Sequence, residues 1–168
     1  MSTKQFAKLA WALLIYTLPV IVFGGFVRAS GSGDGCGAHW PDCYGSLFPV
    51  GGEVERIIEY SHRVSSGIYG LLALVVFIYA FVLFPKGHAV RKAASFTFFL
   101  TIIEALICAV LVKRGLVADN DSIARAVWMS IHLANTFLLL ASSAVTALWA
   151  SGTPKIDLRK QGAAGWAL

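Results

Sequence analysis

Hydrophobic residues in this chain run in long unbroken blocks. They show neither the alternation of a half-buried strand nor the one-sided stripe of a soluble helix. Four blocks reach bilayer length, about 20 apolar residues: Phe6–Val27, Val64–Pro85, Ala93–Val112 and Ala126–Ala150. The second and fourth hold no Asp, Glu, Lys or Arg, the first holds only Lys8, and the third only Glu104. The pattern predicts helices over about 6–27, 62–85, 93–112 and 126–150, forming one domain across 1–168. The expected fold is an all-α integral membrane protein, a four-helix transmembrane bundle with a long Gly-rich outer loop after the first helix.

Composition agrees. Of the 168 residues, 57% are hydrophobic and 14% charged, whereas a soluble domain carries about 25% charged residues. The spans leave no room for a separate soluble domain. The first block is too long for a signal-peptide core and leads into glycines without a small-residue cleavage site, so it reads as a retained helix.

Charge then suggests an orientation. With the N-terminus inside, the inner side carries Lys4, Lys8, Lys86, Arg91, Lys92, Lys155, Arg159 and Lys160 against Asp157 alone. The outer side carries Arg28, Arg56, Arg63, Lys113, Arg114 and Arg125 against seven acids. Short-loop cations favour the cytoplasmic face. The expectation is a plasma-membrane protein with both termini cytoplasmic and the long loop outside. The net charge of +5 is a topology signal; no basic-aromatic patch points to nucleic acid.

The connectors are unequal. The inner turn around Lys86, Gly87 and His88 is short, and Lys113–Arg125 forms a modest outer loop. The connector from Arg28 to about Ile57 holds seven glycines, Pro41, Pro49 and two of the three cysteines. A loop this long in a compact domain is usually functional. Cys36 and Cys43 are close in sequence on an oxidising side, which argues for a disulfide shaping the loop; a zinc site would need more partners than His39 offers. Cys108 reads as an apolar filler, and His88 as solvated. The tail Ser151–Leu168 reads as a solvated or interfacial end, with Trp166 at the headgroups.

Two histidines carry the candidate chemistry. His62 and His132 each lie near the outer start of an apolar run. His62 is 23 positions before Pro85 and His132 is 19 before Ser151, so their depths differ by about 6 Å. Ligand-type side chains at membrane depth are costly and usually functional. Two imidazoles facing each other in a bundle suit a planar haem. Glu59, His62, Ser66 and Gly70 share one helical face, as do Trp128, His132, Asn135 and Thr136. The bland alternatives are a Gly/Ser packing face and a histidine bonded to a neighbouring helix. Glu59, Arg63 and Arg28 read either as rim ion pairs or as site residues, with the arginines placed to pair haem propionates. Glu104 reads equally as a proton-path residue or as a protonated interface residue.

The segments Gly24-Gly-Phe-Val-Arg28-Ala-Ser-Gly-Ser-Gly33, Gly35-Cys36, Trp40-Pro-Asp-Cys43, Glu59-Tyr-Ser-His62-Arg63 and Ser130-Ile-His132-Leu resemble the haem A synthase family. The resemblance covers nearly the whole chain. It implies an oxidoreductase that converts haem O to haem A at the C8 methyl group, for terminal oxidases. It implies Glu59 as the catalytic acid, His62 and His132 as haem iron ligands, and a Cys36–Cys43 bridge. The implied cofactor is haem, as haem b, haem O or haem A. The implied partners are haem O as substrate, membrane lipid, a haem O synthase and a membrane electron acceptor.

Two departures stand out. The family usually has eight spans in two similar halves, and this chain resembles the N-terminal half. It has one histidine pair, so a homodimer or a second four-helix half is expected. The pair Ala38-His39 before Trp40 is also additional to the family pattern. The competing function class is a non-catalytic b-type cytochrome or haem carrier. A quinone-coupled thiol oxidoreductase fits poorly, because there is no C-x-x-C and only one outer cysteine pair.

Overall fold

Each apolar block becomes a helix; each helix starts before its block, and α2 stops at Leu83, two residues short of the expected Pro85. The computed structural model describes residues 1–45 and 53–154. Helix α1 covers Thr3–Ala29, α2 Val54–Leu83, α3 Ala89–Lys113 and α4 Ile123–Ala150, with a short 3₁₀ turn at Ser32–Asp34. All four are long and apolar enough to cross a membrane. No strand occurs among the described residues, so the fold is a four-helix membrane bundle. Pro49, Gly51 and Gly52 of the long connector lie outside the described residues, as do Lys155, Arg159, Lys160 and Trp166 of the tail.

The largest extension is at α2, which begins at Val54 rather than near His62. Hydropathy ends the span where Glu59, His62 and Arg63 begin, but backbone hydrogen bonding continues through them. Glu59 and Arg63 find partners in the loop above, so they need not break the helix. His62 therefore sits two turns inside α2, where its backbone is fixed.

Helix ends are closed by side chains. Ser2 and Gln5 form a reciprocal capping box on α1, His88 accepts from the Val90 N–H at the start of α3, and Ser122 accepts from Arg125 at the start of α4. Such caps satisfy amides that the first helical turn leaves free.

The helices pack in a ring, α1 on α2 and α4, and α3 on α2 and α4. Phe6, Leu13, Tyr69, Ala73, Val76, Ala80, Ala94 and Ala147 are among the buried core residues. Several are alanines, which let backbones approach closely; in lipid, packing and polar contacts hold helices together because lipid is as apolar as the core. The polar contacts are Tyr69 Oη with Ser143 Oγ at 3.1 Å, and Thr97 Oγ1 with Ser142 Oγ at 3.1 Å and Thr146 Oγ1 at 3.2 Å. Large apolar side chains such as Ile15, Val22, Leu71, Leu106 and Phe137 point outward, as a lipid-facing surface requires. Trp11 Nε1 donates to Ser151 Oγ at 2.9 Å, tying the termini together at the end of the bundle opposite the long connector.

Candidate functional site

At the connector end, a disulfide joins Cys36 to Cys43, as expected from their spacing. Both cysteines are buried. The loop they close lies directly on α2. At Gly35 an added Cβ would come within 2.5 Å of the Glu55–Arg56 backbone, a distance that only a glycine tolerates.

Glu59 fastens this loop. It is 4% exposed. Its Oε2 accepts from the Cys36 N–H at 2.7 Å, and its Oε1 accepts from Arg63 Nε at 3.0 Å and from Arg63 Nη2. Arg63 Nη1 then donates to the carbonyls of His39, at 2.6 Å, and Asp42, at 2.8 Å. Every donor group of this guanidinium is thus turned toward Glu59 or the loop. His39 receives Arg63 through its backbone carbonyl, while its ring lies 4.8 Å from the Tyr44 ring centre. Arg56 adds a second strap, with its guanidinium 4.6 Å from the Tyr44 ring centre. Arg28 lies exposed in the last turn of α1.

One turn below Glu59, His62 faces α1. Its ring meets Phe23 edge-on, with centres 5.6 Å apart. A Cβ on Gly24 would sit 3.0 Å from His62 Cε1 and 3.1 Å from Nε2, so Gly24 forms the cradle that admits the imidazole. His62 Nδ1 is buried without a hydrogen-bond partner. A buried polar atom left bare costs about 1–3 kcal/mol, so this ring is not explained as packing. The sequence signal for the cradle was Gly24-Gly25 within an apolar span, but its partner was not legible there.

Across the bundle, His132 has the opposite environment. Its Nδ1 lies 3.3 Å from Glu104 Oε1. Glu104 also accepts from Thr136 Oγ1 at Oε1 and from Asn135 Nδ2 at 2.7 Å at Oε2. Cys108 Sγ, one turn along α3 from Glu104, is 4.0 Å from His132 Nδ1. The two open readings of Glu104 thus resolve to a specific place: it is the carboxylate behind His132.

The donor set fits an axially ligated haem on three observations. One imidazole has its Nδ1 engaged by a carboxylate, the other carries an orphaned buried nitrogen, and a glycine gives the second ring room against α1. Among the described residues no group of three or more His, Cys, Asp or Glu could hold a metal ion. The structure packs His62 against α1 and His132 against α3, and it turns Glu59 and Arg63 toward the loop.

Comparison with known proteins now bears on this arrangement. The family model described as COX15-CtaA, cytochrome oxidase assembly protein, matches residues 7–54 and 50–168. The chain belongs to this family. It is 47% identical over 171 residues to a Thermus thermophilus protein named protoheme IX farnesyltransferase, a match covering all of this chain and 28% of that protein. It is 39% identical over 104 residues to heme A synthase of an Exiguobacterium species, covering 62% of this chain and 35% of that one. It is 33% identical over 139 residues to heme A synthase of Shouchella clausii, covering 83% of this chain and 44% of that one. The chain thus spans less than half the length of these curated relatives. No solved structure matches.

Proposed function

We propose that this chain is a haem-handling unit of a haem A synthase-type oxidoreductase, with haem O as substrate and haem A as product. The observation that carries the reading is the pair of prepared imidazoles, His62 on α2 and His132 on α4, in a member of the cytochrome oxidase assembly family.

The roles follow from the geometry. His132, backed by Glu104, and His62, cradled by Gly24, are the residues that would hold the haem iron. When bound, haem iron supplies the oxidation chemistry, while the protein orients the ring and tunes its electronics. With water as the oxygen source, turning a methyl into a formyl group releases four electrons and four protons; we assign the electrons to a membrane electron carrier and the protons to the surrounding water. Glu59 is our candidate acid, because it is buried one turn from His62 and couples that turn to the loop. The Glu59–Arg63 clamp holds the disulfide loop as a cover that keeps bulk water from the ring. Arg28, exposed at the same end, is a cation available for a propionate; Arg63 would have to leave the loop to take that role.

The matched relatives run to more than twice the aligned length, and this chain contributes one imidazole pair. We therefore propose that a second copy or a second four-helix unit stands beside it. The Thermus relative's name refers to farnesyl transfer onto protohaem, and the match covers a minority of that protein. This supports a haem O synthase as the partner that supplies substrate. The cation asymmetry supports cytoplasmic termini in the plasma membrane.

The test is pigment analysis of membranes expressing this chain with a haem O supply. Haem A in the extract supports the enzyme. Binding of haem b with no haem A under any reconstitution contradicts it and leaves a non-catalytic haem protein.

A further inference from the structure

We infer that Glu104 is a positioning residue for His132, holding its imidazole through Nδ1 and making it the stronger of two unequal axial ligands. The inference rests on the haem reading above and concerns a residue on a different helix from either ligand.

Three donors from α4 converge on one carboxylate of α3. His132 Nδ1 lies 3.3 Å from Oε1, Thr136 Oγ1 donates to the same oxygen, and Asn135 Nδ2 donates to Oε2 at 2.7 Å. Asn135 is 6% exposed and also donates to the Leu100 carbonyl at 3.0 Å. The carboxylate is thereby held from both oxygens, with no freedom to rotate away from the imidazole.

A carboxylate on Nδ1 makes that nitrogen the hydrogen-bond donor and leaves the Nε2 lone pair for a metal. It also fixes the plane of the ring and raises its basicity as a ligand. A more electron-rich axial donor favours the ferric over the ferrous state. His62 has no such support. Its Nδ1 is buried and unpartnered, and its ring is held by contact with Gly24 and Phe23. The two ligands therefore differ in strength by construction, and His62 is the one that gives way first when an axial position must open.

The alternative is that Glu104 only staples α3 to α4. A staple would govern stability and leave the haem's electronic properties untouched. Glu104→Gln separates the two, since it keeps the shape and removes the charge. In the purified haem-loaded protein, the ferric-to-ferrous ratio at a fixed solution potential should fall about tenfold, equivalent to 59 mV for a one-electron couple. The axial-ligand signature in the low-spin ferric spectrum should move with it. Thr136→Val removes a competing donor from Oε1, so it should shift the ratio the opposite way and by less, and it serves if the Gln variant fails to fold. His132→Ala should lose more haem per chain than His62→Ala. Wild-type ratio and spectrum in the haem-loaded Glu104→Gln or Thr136→Val protein would overturn the inference. Full haem retention with an unchanged spectrum in His132→Ala would overturn the ligand assignment itself, which is a separate failure.

Discussion

The two histidines live in different chemistry. The His62 corner is built by shape: a glycine cradle, an aromatic edge and a loop clamped overhead by Glu59 and Arg63. The His132 corner is built by charge, with a carboxylate locked between Asn135, Thr136 and the imidazole. Shape positions a ring but leaves its far nitrogen bare, whereas charge positions the ring and alters what it donates. A haem held by the two proposed ligands would have a firmer one on α4 and a more yielding one on α2.

Several substitutions should break or sharpen this contrast. The largest effect is expected at the loop clamp. Arg63→Ala leaves Glu59 buried without its counter-charge, which should cost about 3–5 kcal/mol and release the loop. Thermal unfolding in detergent and protease cutting between Gly37 and Gly45 would report it. Removing both Cys36 and Cys43 should expose the same segment. If Glu59→Gln abolishes haem conversion while the loop stays protected from protease, Glu59 acts on the reaction and not only through the loop.

Crowding the cradle comes next. Gly24→Ala puts a methyl group against the His62 ring, and overpacking of this kind costs about 1–3 kcal/mol. Haem occupancy should fall, and the absorption spectrum should shift toward a form with one strong axial ligand. On the charged side, Asn135→Ala removes a hydrogen bond to a carboxylate, worth about 1.5–3 kcal/mol. It should lower the unfolding temperature while leaving His62 contacts intact. The smallest effect belongs to Arg28→Gln. An exposed ion pair contributes about 0.2–1 kcal/mol, so haem affinity should weaken slightly and in a salt-dependent way.

How much of this was legible beforehand follows from what each signal depends on. Four helices and the two candidate ligands could be read because hydropathy and the cost of polar groups in lipid act along the chain itself. The start of α2 could not, since Val54–Arg63 is polar by composition and becomes helical because the loop folds onto it. The Glu59–Arg63 clamp had a trace in the i, i+4 spacing, but its targets, the Cys36 amide and the His39 and Asp42 carbonyls, are some twenty positions away. Glu104 was ambiguous for the same reason. A lone acid in a span says that a partner exists, and only the crossing of α3 with α4 says that the partner is His132. Gly24 and His62 meet across two helices, which no local pattern encodes.

The central claim is that His62 and His132 are the two haem ligands. The most direct test is the haem-to-chain ratio and absorption spectrum of purified wild-type, His62→Ala and His132→Ala proteins, prepared in parallel with the same haem supply. The account predicts a six-coordinate low-spin spectrum in the wild type, a partly loaded protein with altered axial ligation in His62→Ala, and the deeper loss in His132→Ala. Wild-type haem content and spectrum in both variants would contradict it.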